Sequence, residues 1–237
     1  MNYAIIAAGE GSRLVQEGVS VPKPLVDLDG RPMIRRLIDI FVSLNAETVS
    51  VIVNEQMHEV RAYLEALQNV VPCNLNVVVK STPSSMHSFM EVSNVFPIGS
   101  KFILTTVDTV FRREDFAAYE KAFEQSPDGV DGMMGVTTYI EDEKPLYVDI
   151  NHEGKITAFC DEPFDGVKYI SAGIYGLTTP ALDVLRKCIE EGISRMRNYQ
   201  RCLVSSGMNL LAFDLGKVLD VDHVSDIDKA RAFIKEN

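Results

Sequence analysis

The amino-acid sequence predicts an α/β fold with three layers built around a mixed, mostly parallel central sheet. Three observations carry that prediction. Short apolar runs alternate with amphipathic runs up to Asp108, the pattern of successive βαβ units. Beyond Asp108 several strand-like runs follow one another, which reads as strands added to the same sheet. No repeat, low-complexity segment or Pro/Gly/Ser-rich linker divides the chain. Residues 1–237 therefore read as a single domain, and 46% hydrophobic residues suffice to bury a sizeable core.

Taken in order, Tyr3 to Ala8 reads as a fully buried strand, and Arg31 to Leu44 as an amphipathic helix with Met33, Leu37, Ile38 and Phe41 on one face. Strand Thr48 to Val53, helix Met57 to Leu67, strand Leu75 to Val79, helix Ser88 to Val95 and strand Lys101 to Thr106 follow. A helix around Glu114 to Glu124 precedes four consecutive strands, Gly132 to Tyr139, Leu146 to Ile150, Ile156 to Cys160 and Ile170 to Leu177. Pro180 to Glu191 is helical by period, and Pro180 sits in the first turn, where its missing N–H costs nothing. Asn209 to Asp214 and Lys217 to Val221 read as two last short strands or extended segments. Val224 to Lys235 closes the chain as a helix capped by Ser225 or Asp222.

Thirty-four acidic against 23 basic residues give a net charge of −11. Such a chain has no positive field for a phosphate backbone, which argues against nucleic acid as a partner. A small phosphorylated substrate held by a few local cations remains compatible. No apolar run is long enough to span a bilayer, and the N-terminal apolar stretch has no basic region before it, so the chain reads as cytoplasmic with no membrane partner. Cys73, Cys160, Cys188 and Cys202 show no Cys-x-x-Cys spacing and read as reduced thiols rather than a zinc cluster or a disulfide framework.

The strongest local signal is Ala7-Ala8-Gly9-Glu10-Gly11-Ser12-Arg13-Leu14, directly after the first strand. Two glycines one residue apart let the backbone turn with its N–H groups facing an anion. A dinucleotide fingerprint would need a third glycine where Leu14 stands and an uninterrupted helix, which Pro22 and Pro24 forbid. Arg13 and Lys23 both belong to the segment that leaves the first strand, where an open α/β sheet presents its ligand crevice. Arginine grips phosphate with two parallel hydrogen bonds, and lysine supplies a compact charge to a reacting phosphoryl group. Solvated surface charge is the alternative for both.

These residues, with Lys23-Pro24-Leu25 and Gly30-Arg31-Pro32-Met33-Ile34, are similar to the nucleotidyltransferases that activate sugar 1-phosphates, whose pattern is an apolar strand, A-A-G-x-G-[ST]-R-L and then K-P-L. The resemblance runs the length of the chain and is most specific near its start. It implies a Rossmann-like nucleotidyltransferase fold and an enzyme joining an NTP to a phosphorylated acceptor, a sugar 1-phosphate first, with release of pyrophosphate and formation of an NDP-sugar. It implies that Ala7, Ala8, Gly9, Glu10, Gly11 and Ser12 hold the nucleotide and that Arg13 and Lys23 are catalytic.

Asp108 ends a strand and puts a hard oxygen ligand at the lip of the sheet beside Gly9, which suits Mg²⁺; capping the next helix is its alternative role. In the family an Asp at this place holds the metal, usually after Gly, where this chain has Val107. Asp222 is the first choice for the second metal ligand and Asp220 the second choice. Alternation aims both to one side, and helix capping alone would also explain Asp222. His223 is not read as a ligand. The family's base-reading loop carries an L-G-T core. Here Ser84-Ser85-Met86-His87-Ser88 stands in its place, with Ser85 and Ser88 as nucleotide-binding candidates, or with Ser84 or Ser85 as a simple helix cap. Gly173 and Glu162 are similar to positions at the acceptor; the lysine of an E-K-P segment is missing after Glu162, leaving Lys168 as a substitute cation.

Two other activities fit the same residues: a cytidylyltransferase for phosphocholine or a similar small phosphorylated alcohol, and a glycosyltransferase of related fold using Asp220-Val221-Asp222 as a D-x-D motif. The far C-terminal position of that motif and the Arg13 and Lys23 signature tell against the glycosyltransferase. A non-catalytic nucleotide-binding regulator is the third class. A homo-oligomer is compatible with all of these.

Overall fold

In the computed structural model, which describes residues 1–97, 99–141 and 144–236, β1 (Asn2–Ile6) is buried along its whole length. Its side chains alternate between two cores. Tyr3 and Ile5 pack on one face of the sheet, and Ala4 and Ile6 on the other. A strand covered on both faces reads as a continuous apolar run, which is why it stood out in the sequence. Glycine-rich backbone then leads into the short helix α1 (Ser12–Gln16) and a single 3₁₀ turn at Lys23–Leu25.

The βα alternation follows as predicted: α2 (Met33–Ser43), β2 (Thr48–Val53), α3 (His58–Gln68), β3 (Asn74–Val79), α4 (Ser85–Ser93) and β4 (Phe102–Thr106). β1 pairs in parallel with β2 on one side and with β4 on the other, with Ile6 opposite Ile52 and Thr106. The C-terminal ends of these strands thus meet at one edge, where an open α/β sheet forms its crevice.

After β4 come the two-residue strand β5 (Thr109–Val110), α5 (Arg113–Glu124), β6 (Gly132–Thr137), β7 (Tyr147–Ile150), β8 (Ile156–Cys160) and β9 (Tyr169–Leu177). The chain continues through α6 (Pro180–Glu190), α7 (Met196–Ser205), β10 (Leu210–Asp214), β11 (Leu219–Asp220) and α8 (Val224–Lys235). The large sheet runs β10-β6-β9-β4-β1-β2-β3, and β9 is antiparallel to both β4 and β6. β7 pairs with β8 and β9. The sheet is mixed, mostly parallel, and sandwiched between helices. Residues of α2, α3 and α5 fill one core, with the Tyr3 ring stacked on Phe41 at 4.3 Å; residues of α4, α6 and α7 fill the other.

A third, smaller core matters most for function. Leu14 of α1, Val26, Met33, Val110 of β5, Leu219 of β11, Val221, and Ile227 and Phe233 of α8 pack together, so the glycine loop, the lysine turn and the C-terminal helix are tied into one unit.

Three sequence expectations are corrected. Asn209 to Asp214 and Lys217 to Val221 do contain strands, but the second shrinks to the two residues of β11; β10 lies parallel to β6, while β11 is antiparallel to β5. The final helix has His223 at its N-cap position instead of Ser225 or Asp222, and the Asp226 carboxylate accepts the His223 N–H at 2.9 Å. Helix α7 was not expected. Its buried stripe of Met196, Tyr199 and Leu203 is broken by Gln200, equally buried, whose Oε1 accepts a hydrogen bond from the Ser171 hydroxyl at 2.9 Å.

Candidate active site

The crevice at the end of β1 opens into a cleft of about 950 Å³ that gathers Gly9, Gly11, Arg13, Lys23, Asp108 and Asp222. Gly11 adopts φ +63°, a left-handed backbone that favours glycine, and turns the chain out of the strand into α1. Among the described residues none accepts a hydrogen bond from the backbone N–H of Gly9, Glu10 or Gly11, so these donors are available to an anion. Ala7 is buried behind the loop, whereas Ala8 and Ser12 line the cleft with Glu10. The Ala8 carbonyl accepts from Asn54 Nδ2 at 3.0 Å, and Asn54 Oδ1 accepts the Gln56 N–H at 2.9 Å, so Asn54 braces the loop from the end of β2. Sequence reading passed over Asn54; its only signal was a polar residue directly after an apolar strand.

Lys23 forms the centre of the cleft. Its side chain is only 8% exposed, and Nζ donates to Asp108 Oδ2 at 2.5 Å and to Asp222 Oδ1 at 2.6 Å. Arg13 Nη1 donates to the other oxygen of Asp222 at 2.9 Å. Burial opposes the Lys23 charge, yet the two facing carboxylates outweigh it and raise its pKa to about 12. Burial likewise opposes ionisation of Asp108, and Lys23 overrides it, holding the carboxyl below the ordinary Asp range. Two cations and two carboxylates therefore form a charge-balanced cluster with charge-assisted hydrogen bonds throughout.

The two aspartates, far apart in sequence, meet because β5 and β11 pair. Thr109 lies opposite Asp220, and the Val221 N–H donates to the Asp108 carbonyl at 3.1 Å. Asp108 stands just before β5 and Asp222 just after β11, so the pairing sets them side by side. Asp220 lines a neighbouring pocket together with Asp222, Arg13, Ser171 and Ala172, and does not line the cleft.

Of the serine-rich segment, Ser84, Ser85 and Ser88 line the cleft, and α4 begins at Ser85, earlier than the Ser88 start expected. Ser84 occupies the N-cap position, but its hydroxyl pairs with His87 Nδ1 at 2.9 Å instead of with the helix amides. Ser88 is buried and shares a 2.6 Å hydrogen bond with the Thr82 hydroxyl. The acceptor candidates lie apart. Gly173, at φ +69°, does not line the cleft but sits where a Cβ would approach the Thr109 hydroxyl to 3.1 Å and that of the cleft-lining Thr106 to 3.5 Å. Glu162 and Lys168 are exposed and line neither pocket. Asp161, beside Glu162, instead receives Arg197 and Arg201 of α7, both at 2.7 Å.

A loop turned at Gly11, a buried lysine shared by two aspartates and an arginine thus meet at the crevice of an open α/β sheet. The chain belongs to the nucleotidyl transferase family, whose pattern it matches over residues 3–237. It is 26% identical over 191 residues to a mannose-1-phosphate guanyltransferase of Gibberella zeae, covering 77% of this chain and 51% of that protein. It is 33% identical over 93 residues to a 2-aminoethylphosphonate cytidylyltransferase of Lancefieldella rimae, covering 38% and 37%. The chain thus spans about half or less of these two relatives. Its fold matches the solved inositol-1-phosphate CTP transferase of T. maritima with a TM-score of 0.81 at 20% identity, over 100% of this chain and 96% of that one.

Proposed function

We propose that this protein transfers a nucleoside monophosphate from an NTP to a phosphorylated acceptor, a sugar 1-phosphate, releasing pyrophosphate and forming an NDP-sugar. The observation that carries the proposal is Lys23 Nζ, within hydrogen-bond distance of both Asp108 and Asp222 at the mouth of the glycine loop. In-line attack of an acceptor phosphate oxygen on the α-phosphorus needs no covalent nucleophile from the protein. What it needs is alignment of two anions and neutralisation of charge that builds on the phosphoryl oxygens. Arg13 and the amides from Gly9 to Ser12 would hold the departing β,γ-phosphates. Lys23 would span the acceptor phosphate and the α-phosphate.

The donor set also fits Mg²⁺. The hard oxygens of Asp108 and Asp222 converge on Lys23 Nζ, and because no group of three or more His, Cys, Asp or Glu among the described residues is placed to hold a metal, an ion here would rest on these two carboxylates. A Mg²⁺ held by one or two carboxylates completes its shell with water and substrate phosphates. Bound there by Asp108 and Asp222, it would supply Lewis-acid charge at the phosphates. Lys23 would then release at least one carboxylate and turn its ammonium to the phosphoryl oxygens.

A second reading, a cytidylyltransferase for phosphocholine or a similar small phosphorylated alcohol, is supported by the 33% identity over 93 residues to an enzyme named for the small phosphonate 2-aminoethylphosphonate and by the Ser84-Ser85-Met86-His87-Ser88 segment. The single-domain organisation, a cytoplasmic location and self-association belong with these proposals; all four cysteines are free thiols, in keeping with a reducing compartment. Pyrophosphate release measured over four NTPs against sugar 1-phosphates, phosphocholine and 2-aminoethylphosphonate separates the two readings. Release with none of them would overturn both.

A further inference from the structure

The carboxylate of Glu17 has no part in the cleft chemistry above, yet it joins two segments that this chemistry requires to be held together. We propose that Glu17 is a positioning residue for Asp222, an inference that rests on the nucleotidyl-transfer reading of the cleft. Glu17 closes α1 one turn beyond Arg13, and its N–H donates to the Arg13 carbonyl at 3.0 Å. From there one carboxylate oxygen meets His223 Nδ1 at 2.5 Å, and the other accepts the Val224 N–H at 2.6 Å. Val224 is the first residue of α8, where backbone N–H groups have no partner inside the helix and a carboxylate is electrostatically favoured.

Asp222 stands immediately before these two contacts. Two rungs therefore tie α1 to the 222–224 segment: Arg13 to Asp222, and Glu17 to His223 and Val224. Asp226 accepts the N–H of Asp222 at 3.2 Å and of His223 at 2.9 Å, which fixes the turn within the segment. Glu17 sets the distance of the segment from α1. That distance matters because Asp222 divides its two oxygens between Lys23 and Arg13, and a small displacement of its backbone loses one of them. An isolated ion pair as exposed as Glu17 with His223 would contribute little to stability. The geometry thus points to placement of a functional carboxylate instead of a surface ion pair.

The test compares Glu17→Ala and Glu17→Gln with the wild type at several Mg²⁺ concentrations. Glutamine keeps one acceptor oxygen for the Val224 N–H, so it restores part of the clamp. Glu17→Ala is expected to raise the half-saturating Mg²⁺ and lower kcat by about 10- to 100-fold, the scale of losing a partner that orients a metal ligand. The KM for NTP at saturating Mg²⁺ stays at the wild-type value, and Glu17→Gln lies between. Amide hydrogen exchange across residues 220–226 is read in the same proteins and accelerates in Glu17→Ala. Wild-type kcat and Mg²⁺ requirement in Glu17→Ala would overturn the proposal, as would a loss matched by unfolding. Unchanged exchange overturns it whatever reaction the wild type catalyses. A wild type that releases no pyrophosphate fails the reading of the cleft instead, so the two failures are distinguishable.

Discussion

A Cβ placed on Gly11 would lie 2.8 Å from the Cβ of Lys23, so the glycine loop is packed against the stem of the lysine that enters the cleft. The two features, separate in sequence, form one packing unit, and the loop's missing side chain is part of what aims the ammonium. Gly11 also holds φ +63°, where an L side chain costs about 1–2 kcal/mol. Gly11→Ala should therefore lower both the thermal midpoint and pyrophosphate release, the latter by about tenfold or more, as expected when a transition-state donor is misplaced. Gly9→Ala, with nothing within 4 Å of its Cβ, should leave the midpoint unchanged. Thermal scans and rates on both variants check this.

Asp108→Asn and Asp222→Asn should both abolish the metal-dependent reaction, while Asp220→Asn retains it. The amide keeps the shape of the carboxylate but not the charge that retains a divalent ion beside phosphates. Neither aspartate stands at a helix N-cap, since α5 has Arg112 and α8 has His223 at that position, so the loss reads the carboxylate charge and not a helix terminus. An active Asp222→Asn beside a dead Asp220→Asn would move the second ligand to Asp220.

The Lys23–Asp108 pair has a signed pH dependence. Asp108 titrates lower in the folded chain than its unfolded value of about 3.9, so its contribution is present above that value and lost as pH falls through the folded one. Lys23 is raised to about 12, so its contribution is present below the unfolded value of about 10.4 and lost as pH rises through the folded value. Denaturant midpoints should show a plateau between about pH 5 and 10, with the acid fall reduced in Asp108→Asn. Equal acid slopes in both proteins would contradict this.

For the base, a compact wall of hydroxyls from Thr82, Ser84, Ser85 and Ser88 suits the hydrogen-bonding edge of a pyrimidine better than the bulk of a purine. CTP or UTP should give the fastest pyrophosphate release, and Ser85→Ala or Ser88→Ala should erode the preference, since a site built to pair polar edges discriminates through them. GTP or ATP as best substrate, or an unchanged preference in both variants, would show this segment to be only a helix start.

Legibility followed physical periodicity. β1, buried on both faces, announced itself as a continuous apolar run, and α2 by the single apolar stripe it repeats over three turns. β11 falls inside the Lys217 to Val221 segment read as a strand, but β5 spans two residues with no period to read, so the pairing that brings Asp108 to Asp222 stayed hidden. α7 was hidden by a buried glutamine in its apolar stripe. Gly11, Arg13 and Lys23 could be placed at the crevice because closely spaced glycines and prolines mark that segment, and the family resemblance rests on the same residues. Glu17 and Asn54 could not, because their partners lie elsewhere in the chain and are set by tertiary contact alone.

The central claim is that Lys23, shared by Asp108 and Asp222, stabilises charge at the transferred phosphoryl group. The direct measurement is kcat for pyrophosphate release by Lys23→Ala on the best NTP–acceptor pair, with circular dichroism to verify that the variant is folded. The two carboxylates left facing each other should lower its thermal midpoint. Its turnover should fall by roughly 10²- to 10³-fold, the loss of one preorganised transition-state donor. A folded Lys23→Ala protein turning over at the wild-type rate would contradict the account.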